Sequence, residues 1–517
     1  MYNLIRCTFK RCRLHDYKFI LKLTMTHWRQ VKNLNINSIR MISNEFDSTD
    51  KNNKVNPMDF FYWLQKSAPA FPVDASKVTI IHEPEVFYST LLDKCKKAEK
   101  RITLASLYLG TGKLEGGLVE AIEKSVIASD GHLKVNILLD YMRGSRGHKN
   151  SRKMLQPLLK QQWADNIKVH LYHTPKLRGL LKKFIPNRFN ELIGLQHMKV
   201  YIFDDSLIIS GANLSNDYFM NRQDRYFLIE DCKDLCDFYN DLISQVSKFS
   251  FQLMPDNSTS FDTDSSPHPF QSPVKEFVSS ANSRIRKFYF NQLDKRQNEA
   301  GNNQVSADTW IFPLIQMGQL GIYHDNEITL RLLKTAPAGA SLRFATGYFN
   351  LTTEYSNALI RDCQASVQLL TAHPTANGFY GAKGVAGGIP AAYTLIEKSF
   401  YKYCERLGMN ERIKLREYVR SGWTYHAKGL WYTLPNQKKP SFTLIGSSNF
   451  GYRSVNRDLE TQIAVVTKND RLKNDLYEEY NRLYKNSHQV TRNSLLQHDR
   501  VVPTWVYAAV FLFRYFF

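Results

Sequence analysis

Two stretches of this chain, one in each half, repeat a single pattern of residues, and that duplication restricts the possible folds more than any other feature. The first runs HMKVYIFDDSLIISGANLSNDYFMNRQD from His197 to Asp224, and the second HAKGLWYTLPNQKKPSFTLIGSSNFGYRSVNRDLE from His426 to Glu460. Each opens with His-x-Lys on an apolar strand, turns into a second apolar strand and ends in a small-residue loop with an Asn. The period of two puts His197 and Lys199 on one face of their strand, and His426 and Lys428 on one face of theirs. Asp224 lies eleven residues after Asn213, and Glu460 lies eleven after Asn449. A single His-x-Lys pair is a chance pattern. Two of them, with Asn and acid at matched offsets, predict a duplicated fold with one shared site.

The flanking sequence repeats as well. RITLASLYLGTGKLEGGLVEAI, residues 101 to 122, reads as strand, aromatic turn and helix, and ASLRFATGYFNLTTEYSNALI, residues 340 to 360, has the same layout. VNILLDYMRGSRG from Val135 and VQLLTAHPTANGFYG from Val367 each read as a buried strand entering a loop. Strands alternating with helical patterns predict α/β units with buried, largely parallel sheets. Polar stretches break the chain at Ser43 to Asn56 and at Met254 to Pro273, the second with the Ser/Asp/Pro composition of a linker. The expected units are therefore residues 1–56, a basic leader and linker, then 57–265 and 266–517, two pseudo-symmetric α/β/α domains with the site at their interface. A chain of 517 residues has apolar surface enough for two such cores.

The formal charge of +21 calls for an anionic partner, whether nucleic acid, acidic lipid or phosphorylated small molecule. Residues 1 to 43 hold nine Lys/Arg against the single acid Asp16, which marks a mitochondrial presequence in preference to a disordered basic tail. Seven scattered cysteines form no secreted framework and read as reduced thiols; Cys232 and Cys236 lack the second pair that a zinc site needs. No run of about 18 to 20 apolar residues is present to span a bilayer. The end of the chain, with Trp505, Tyr507, Phe511, Phe513, Tyr515, Phe516 and Phe517, fits either a lipid interface or burial against its own domain.

Displacement at a phosphodiester needs a nucleophile, an acid for the leaving oxygen and positive donors around the phosphoryl oxygens. A neutral imidazole attacks phosphorus to give a phosphohistidine while a second, protonated imidazole supplies the leaving group's proton. No metal or other cofactor is needed. Lys199 and Lys428 would form the charge clamp with Asn213 and Asn449, single donors of this kind being worth about 2.7–4 kcal/mol in a transition state. Asp224 and Glu460 would orient the imidazoles and set their protonation states apart.

These motifs resemble the phospholipase D superfamily, whose signature is His-x-Lys, four residues, Asp, then a Gly-Ser/Ala-x-Asn loop. His197, Lys199 and Asp204 match in the first copy, with Gly211, Asn213 and Ser215 in its loop; in the second copy Thr433 stands where the Asp would be. Within the superfamily the likeness is to the branch that makes phosphatidylglycerophosphate in mitochondria. It covers residues from about 75 to 490 and is carried by ASLYLGTG from Ala105, LLDYMRGSRG from Leu138, QHMKVYIFDD from Gln196, NGFYGAKGV from Asn377, IPAAYT from Ile389 and YHAKGLWY from Tyr425. The resemblance implies transfer of a phosphatidyl group from CDP-diacylglycerol to sn-glycerol 3-phosphate, releasing CMP, at the inner mitochondrial membrane and without nucleic acid. It also implies His197 as nucleophile and His426 as acid, then base.

Around this centre Arg143 and Arg146 follow a buried strand, where ligands of α/β sheets sit and guanidinium forks suit phosphate. Lys383 lies in a Gly/Ala-rich loop that would act as a lid. Gly110 and Gly112 shape a strand-to-helix turn expected near the CDP moiety; Leu114 stands where a nucleotide-triphosphate P-loop needs Ser or Thr. A serine-accepting transferase, a tyrosyl-DNA phosphodiesterase-like enzyme or nuclease, and an inactive anionic-lipid-binding scaffold stay open as alternatives.

Overall fold

The computed structural model describes residues 55–179, 193–302 and 307–516; the basic leader expected at the start of the chain lies outside them, except for Val55 and Asn56. Strands of the first half are β2 (Val78–Ile81), β3 (Arg101–Ala105), β4 (Lys134–Asp140), β5 (Ile167–Tyr172), β6 (Val200–Phe203), β7 (Ser206–Ser210), β9 (Tyr226–Ile229), β10 (Phe251–Leu253) and β11 (Thr259–Ser260), following β1 (Phe71–Val73). The second half supplies β12 (Thr309–Met317), β13 (Ser341–Ala345), β14 (Ser366–Ala372), β15 (Ile413–Tyr418), β17 (Gly429–Thr433), β18 (Phe442–Gly446), β19 (Leu459–Thr467) and β20 (Ser487–Gln489). Two short strands, β8 (Arg222–Gln223) and β16 (Thr424–Tyr425), pair with each other across the halves.

The two sheets have one topology. The first runs β11-β10-β5-β4-β3-β6-β7-β9-β2 and the second, reversed, β20-β15-β14-β13-β17-β18-β19-β12-β1. In both, the three central strands β5-β4-β3 or β15-β14-β13 are parallel, and the His-x-Lys strand and its successors are antiparallel. The sheets are therefore mixed, not largely parallel as the strand–helix alternation led us to expect. The turn between β6 and β7, at Asp204 and Asp205, is too short for anything but an antiparallel hairpin.

Helices α1 (Pro84–Lys97) and α2 (Lys113–Ala128) cover the outer face of the first sheet, packing Phe87, Leu91, Leu118 and Ile122 on it. Between the sheets run α4 (Lys233–Ser247) and α9 (Asp470–Lys485); α3 (Asn216–Met220) precedes α4, and α5 (Val274–Asn302), α6 (His324–Lys334), α7 (Ile389–Arg406) and α8 (Tyr452–Asn456) lie between α4 and α9 in the chain. Leu235, Tyr239, Leu242, Ile243 and Val246 recur at helical spacing on the buried face of α4, and Leu472, Leu476 and Leu483 on that of α9. Asn469 caps α9 by accepting from the Leu472 amide. With Ile202, Ile209, Ile315 and Ile463 these residues form one core spanning both halves, each fully buried aliphatic contributing roughly 1.5–3 kcal/mol over exposure.

The early segment is woven into the second half: β1 pairs with β12, and Phe61, Leu64 and Ala68 lie in the second half's outer core. The stretch read as a linker is packed, holding β11 and the buried Ser266 and His268 before α5 begins. Cys232 and Cys236 sit one turn apart at the start of α4 as buried free thiols.

Candidate active site

Neither His-x-Lys segment lies inside its strand. Each occupies the extended run just before β6 or β17, where the backbone pairs with the opposite half instead of with its own sheet. The His197 amide donates to Leu459 O at 2.8 Å, and the His426 amide donates to Gln223 O at 2.8 Å. The residues after these two acceptors are Glu460 and Asp224, so the same backbone register brings each acid to an imidazole.

The side chains are crossed accordingly. His197 Nδ1 lies 2.9 Å from Glu460 Oε2, and His426 Nδ1 lies 2.7 Å from Asp224 Oδ2. All four residues are buried, and each half lacks the carboxylate that its own imidazole needs. Lys199 Nζ donates to His197 O at 2.6 Å and Lys428 Nζ to His426 O at 2.8 Å, which places both ammonium groups beside the rings. Asn213 donates to Tyr218 Oη at 3.2 Å, and Tyr218 Oη reaches His426 Nε2 at 3.3 Å. In the other half Ser454 takes the corresponding place: its Oγ accepts from the Asn449 amide and donates to Glu460 Oε1 at 2.8 Å. Asn213 Oδ1 and Asn449 Oδ1 are each buried without a hydrogen-bond partner. Matched unsatisfied amides are costly in a finished core and are expected where a ligand completes the bonding.

Burial, reinforced by Lys199, holds the His197 imidazole well below its ordinary pKa; burial, then Lys428 and Arg222, does the same to His426. Burial raises Asp224 to about 6 and Glu460 to about 7, against the opposing pull of Lys428 and Lys199 respectively. Both lysines are lowered by burial. Both imidazoles are thus biased toward the neutral form by the same cause, burial beside a lysine. A bound anion is what would return the proton to one of them. His197, Asp458 and Glu460 approach one another closely enough to hold a metal ion, but Lys199 and Arg453 already balance that negative charge.

The remaining expected residues divide. Asp204 stands apart from the imidazoles, in the left-handed region with φ 49°, at the turn between β6 and β7. Its carboxylate accepts from the Glu99, Lys100 and Arg101 amides at 2.7–2.9 Å, so it ties a hairpin to the start of β3 and touches no reacting group. In the second half that turn is replaced by the longer connection from β17 to β18, which explains why Thr433 suffices there. Arg143 stacks 3.8 Å over Tyr108, whose hydroxyl meets Ser215 Oγ in the Asn213 loop; Arg146 is half-buried in the same turn. Gly110 and Gly112 contact Glu115, which accepts from the Asn216 amide at 2.6 Å: they give close packing beneath the Asn213 loop. Lys383 is exposed just ahead of α7.

Sequence reasoning missed several groups. Gln196 precedes His197; its amide donates to Asp140 Oδ2 and its side chain bridges Ser106 O and the Met198 amide, fixing the His197 backbone. Tyr348 stacks edge-on at 5.6 Å from His426, beside Tyr218 at 5.1 Å. Two ion pairs also flank the rings with their signs exchanged: Asp217 with Arg222, and five residues apart again, Arg453 with Asp458. That repeated spacing was visible in the two motifs.

No protein-family model matches the chain. The solved structure of phosphatidylserine synthase from Haemophilus influenzae aligns with a TM-score of 0.66 over 89% of this chain and 97% of that one, at 19% identity. The duplicated sheets and crossed imidazole–carboxylate pairs define a protein of the phospholipase-D-like fold. Among curated relatives, human mitochondrial CDP-diacylglycerol–glycerol-3-phosphate 3-phosphatidyltransferase is 45% identical over 480 residues, 88% of this chain and 86% of its own length. The probable enzyme of that name from Dictyostelium discoideum is 38% identical over 96% of this chain and 87% of its own, and that of Saccharomyces pastorianus 35% over 81% and 84%. The chain belongs to the CDP-diacylglycerol–glycerol-3-phosphate 3-phosphatidyltransferase family.

Proposed function

We propose that the chain transfers the phosphatidyl group of CDP-diacylglycerol to sn-glycerol 3-phosphate, giving phosphatidylglycerophosphate and CMP, the first step toward phosphatidylglycerol and cardiolipin. The observation that carries this reading is the crossed pairing of His197 with Glu460 and His426 with Asp224, which makes one two-imidazole site from two halves. His197 Nε2, neutral in the resting site, attacks the phosphatidyl phosphorus; the bond to CMP breaks, and CMP leaves with a proton from His426. The proton reaches His426 because the negative diphosphate offsets the burial that otherwise keeps the ring neutral. His426 then takes the proton of the glycerol 3-phosphate hydroxyl as that oxygen attacks the phosphohistidine and frees His197. Lys199, Lys428, Asn213 and Asn449 hold the phosphoryl oxygens, Glu460 and Asp224 steady the imidazolium forms, and Arg143, Arg146 and Lys383 serve the substrates' outer phosphates.

The units proposed are 57–265 and 266–517, preceded by a mitochondrial presequence, and the location is the mitochondrion, peripheral on the inner membrane. The names of the vertebrate relatives, which carry the word mitochondrial, and the acid-poor leader support the placement. Among the described residues no helix is long and apolar enough to cross a membrane. The test is CMP release from CDP-diacylglycerol with glycerol 3-phosphate, serine or water. We expect glycerol 3-phosphate to be preferred by at least about 100-fold, as a site built around an acceptor phosphate should reject acceptors lacking it. Equal rates with serine would transfer the reading to a phosphatidylserine-forming enzyme.

A further inference from the structure

Helix α10 (Thr504–Phe513) lies near the end of the described chain with its apolar side outward. Only Val506 is buried; Val510 packs on the second half's core, while Trp505, Tyr507, Phe511, Leu512 and Tyr515 are 47–87% exposed. Ten of the seventeen exposed large hydrophobic side chains among the described residues fall between Leu496 and Tyr515 or in the loop before α7, at Tyr380 and Val385. These two segments meet: a Cβ at Gly388 would strike the Trp505 ring, so the glycine is what lets the helix seat against the loop. The surface is also continuous with the catalytic centre. Asn350 Nδ2 donates to Arg514 O at 2.9 Å, and Tyr515 stacks edge-on at 4.6 Å on Tyr452, the neighbour of Arg453 in α8. From Asn377 to Tyr393 and from Val501 to Phe517 the only charged residues are Lys383 and Arg514, both cationic.

We propose that α10 and the Asn377–Gly388 loop form a membrane-docking surface, inserting at the interface of a bilayer that carries anionic lipid. Aromatic residues with sparse cations and no acids fit the boundary between headgroups and acyl chains. The inference rests on the proposed reaction in one respect: a diacyl substrate has to reach the imidazoles from a bilayer, and this patch borders their loop. Arg500 anchors the helix from behind, its buried guanidinium paired with Glu417 of β15, so that the docking element is held to the sheet that carries the site.

The test uses the full chain with Phe511→Glu and Leu512→Glu combined, both exposed positions outside the catalytic and binding groups. Co-sedimentation is measured with phosphatidylcholine vesicles with and without phosphatidylglycerol. Activity is measured on CDP-diacylglycerol in those vesicles and on a short-chain, water-soluble CDP-diacylglycerol. We expect tighter binding of wild type to the anionic vesicles, at least about tenfold loss of binding in the variant, and a matching loss of vesicle activity with the soluble substrate turned over at the wild-type rate. Unchanged vesicle binding would overturn the proposal. So would a wild-type dimer that the variant converts to monomer with no loss of vesicle binding, since a second copy would then be the occupant. Absence of CMP release from either substrate in wild type would instead reject the proposed reaction, leaving the binding result to be judged separately.

Discussion

Replacing Glu460 by Gln keeps the shape of the site and removes one charge. The carboxylate is fully buried, receives His197 Nδ1 at 2.9 Å and Ser454 Oγ at 2.8 Å, and sits beside Lys199. A charge-assisted hydrogen bond of this kind is worth about 1.5–3 kcal/mol, and more when it stabilises a positive ring during reaction, so kcat should fall by about 10- to 10³-fold. The pH profile sharpens the test. Because burial raises Glu460 to about 7 and Asp224 to about 6, both lose their negative charge as pH falls through that range, and wild-type kcat should drop below pH 7 and more steeply below 6. Glu460→Gln should leave only the limb near 6. Stability runs the other way for this group. An acid whose folded pKa lies above its unfolded value of 4.5 favours the folded state at low pH and loses that contribution, about 3 kcal/mol, as pH rises to 7. The Gln variant should therefore melt with a weaker pH dependence between 4.5 and 7. CMP release and thermal unfolding, each across pH 5 to 9, measure both. A kcat within threefold of wild type, or an acid limb that stays near 7, would refute the pairing as a working element.

Asp204→Ala should cost about 1–3 kcal/mol of stability by leaving three amides without their acceptor, while kcat at permissive temperature stays within about threefold of wild type. Arg225→Met should destabilise by about 3–5 kcal/mol in denaturant titration, because the buried Glu479 loses a partner that grips both its oxygens. Since Arg225 adjoins Asp224, that variant's kcat should fall as well. Treatment with a strong chelator should leave CMP release unchanged, as two imidazoles and two ammonium groups supply the charges that the reaction needs; full loss restored by a divalent ion would require a different mechanism.

The repeated spacing of His197, Lys199, Asn213 and Asp224 against His426, Lys428, Asn449 and Glu460 was legible because both copies sit at the same offsets from a hairpin, in the extended runs before β6 and β17 and the loops after β7 and β18. The fold class and the family resemblance are borne out by the twin sheets and the curated relatives. The exchange of carboxylates between halves was not legible: it arises from backbone pairing of residues more than two hundred positions apart, such as His197 with Leu459, which leaves no local periodicity. Asp204 misled for a related reason. Its position in the motif is fixed by a left-handed turn and three amides, a structural demand that a pattern match reports in the same way as a chemical one. The proposed second-half boundary hides β1, since three residues of an edge strand carry no signal of which sheet they join.

The central claim is that both imidazoles act on one phosphorus, with His197 carrying the phosphatidyl group between the two substrates. Rapid acid-free quenching of enzyme mixed with CDP-diacylglycerol radiolabelled at the phosphatidyl phosphate, without acceptor, followed by peptide mapping, tests it directly. We expect base-stable, acid-labile label on the His197 peptide, absent from His197→Ala and discharged by added glycerol 3-phosphate. Label on the His426 peptide alone, or none while CMP is still released, would contradict it.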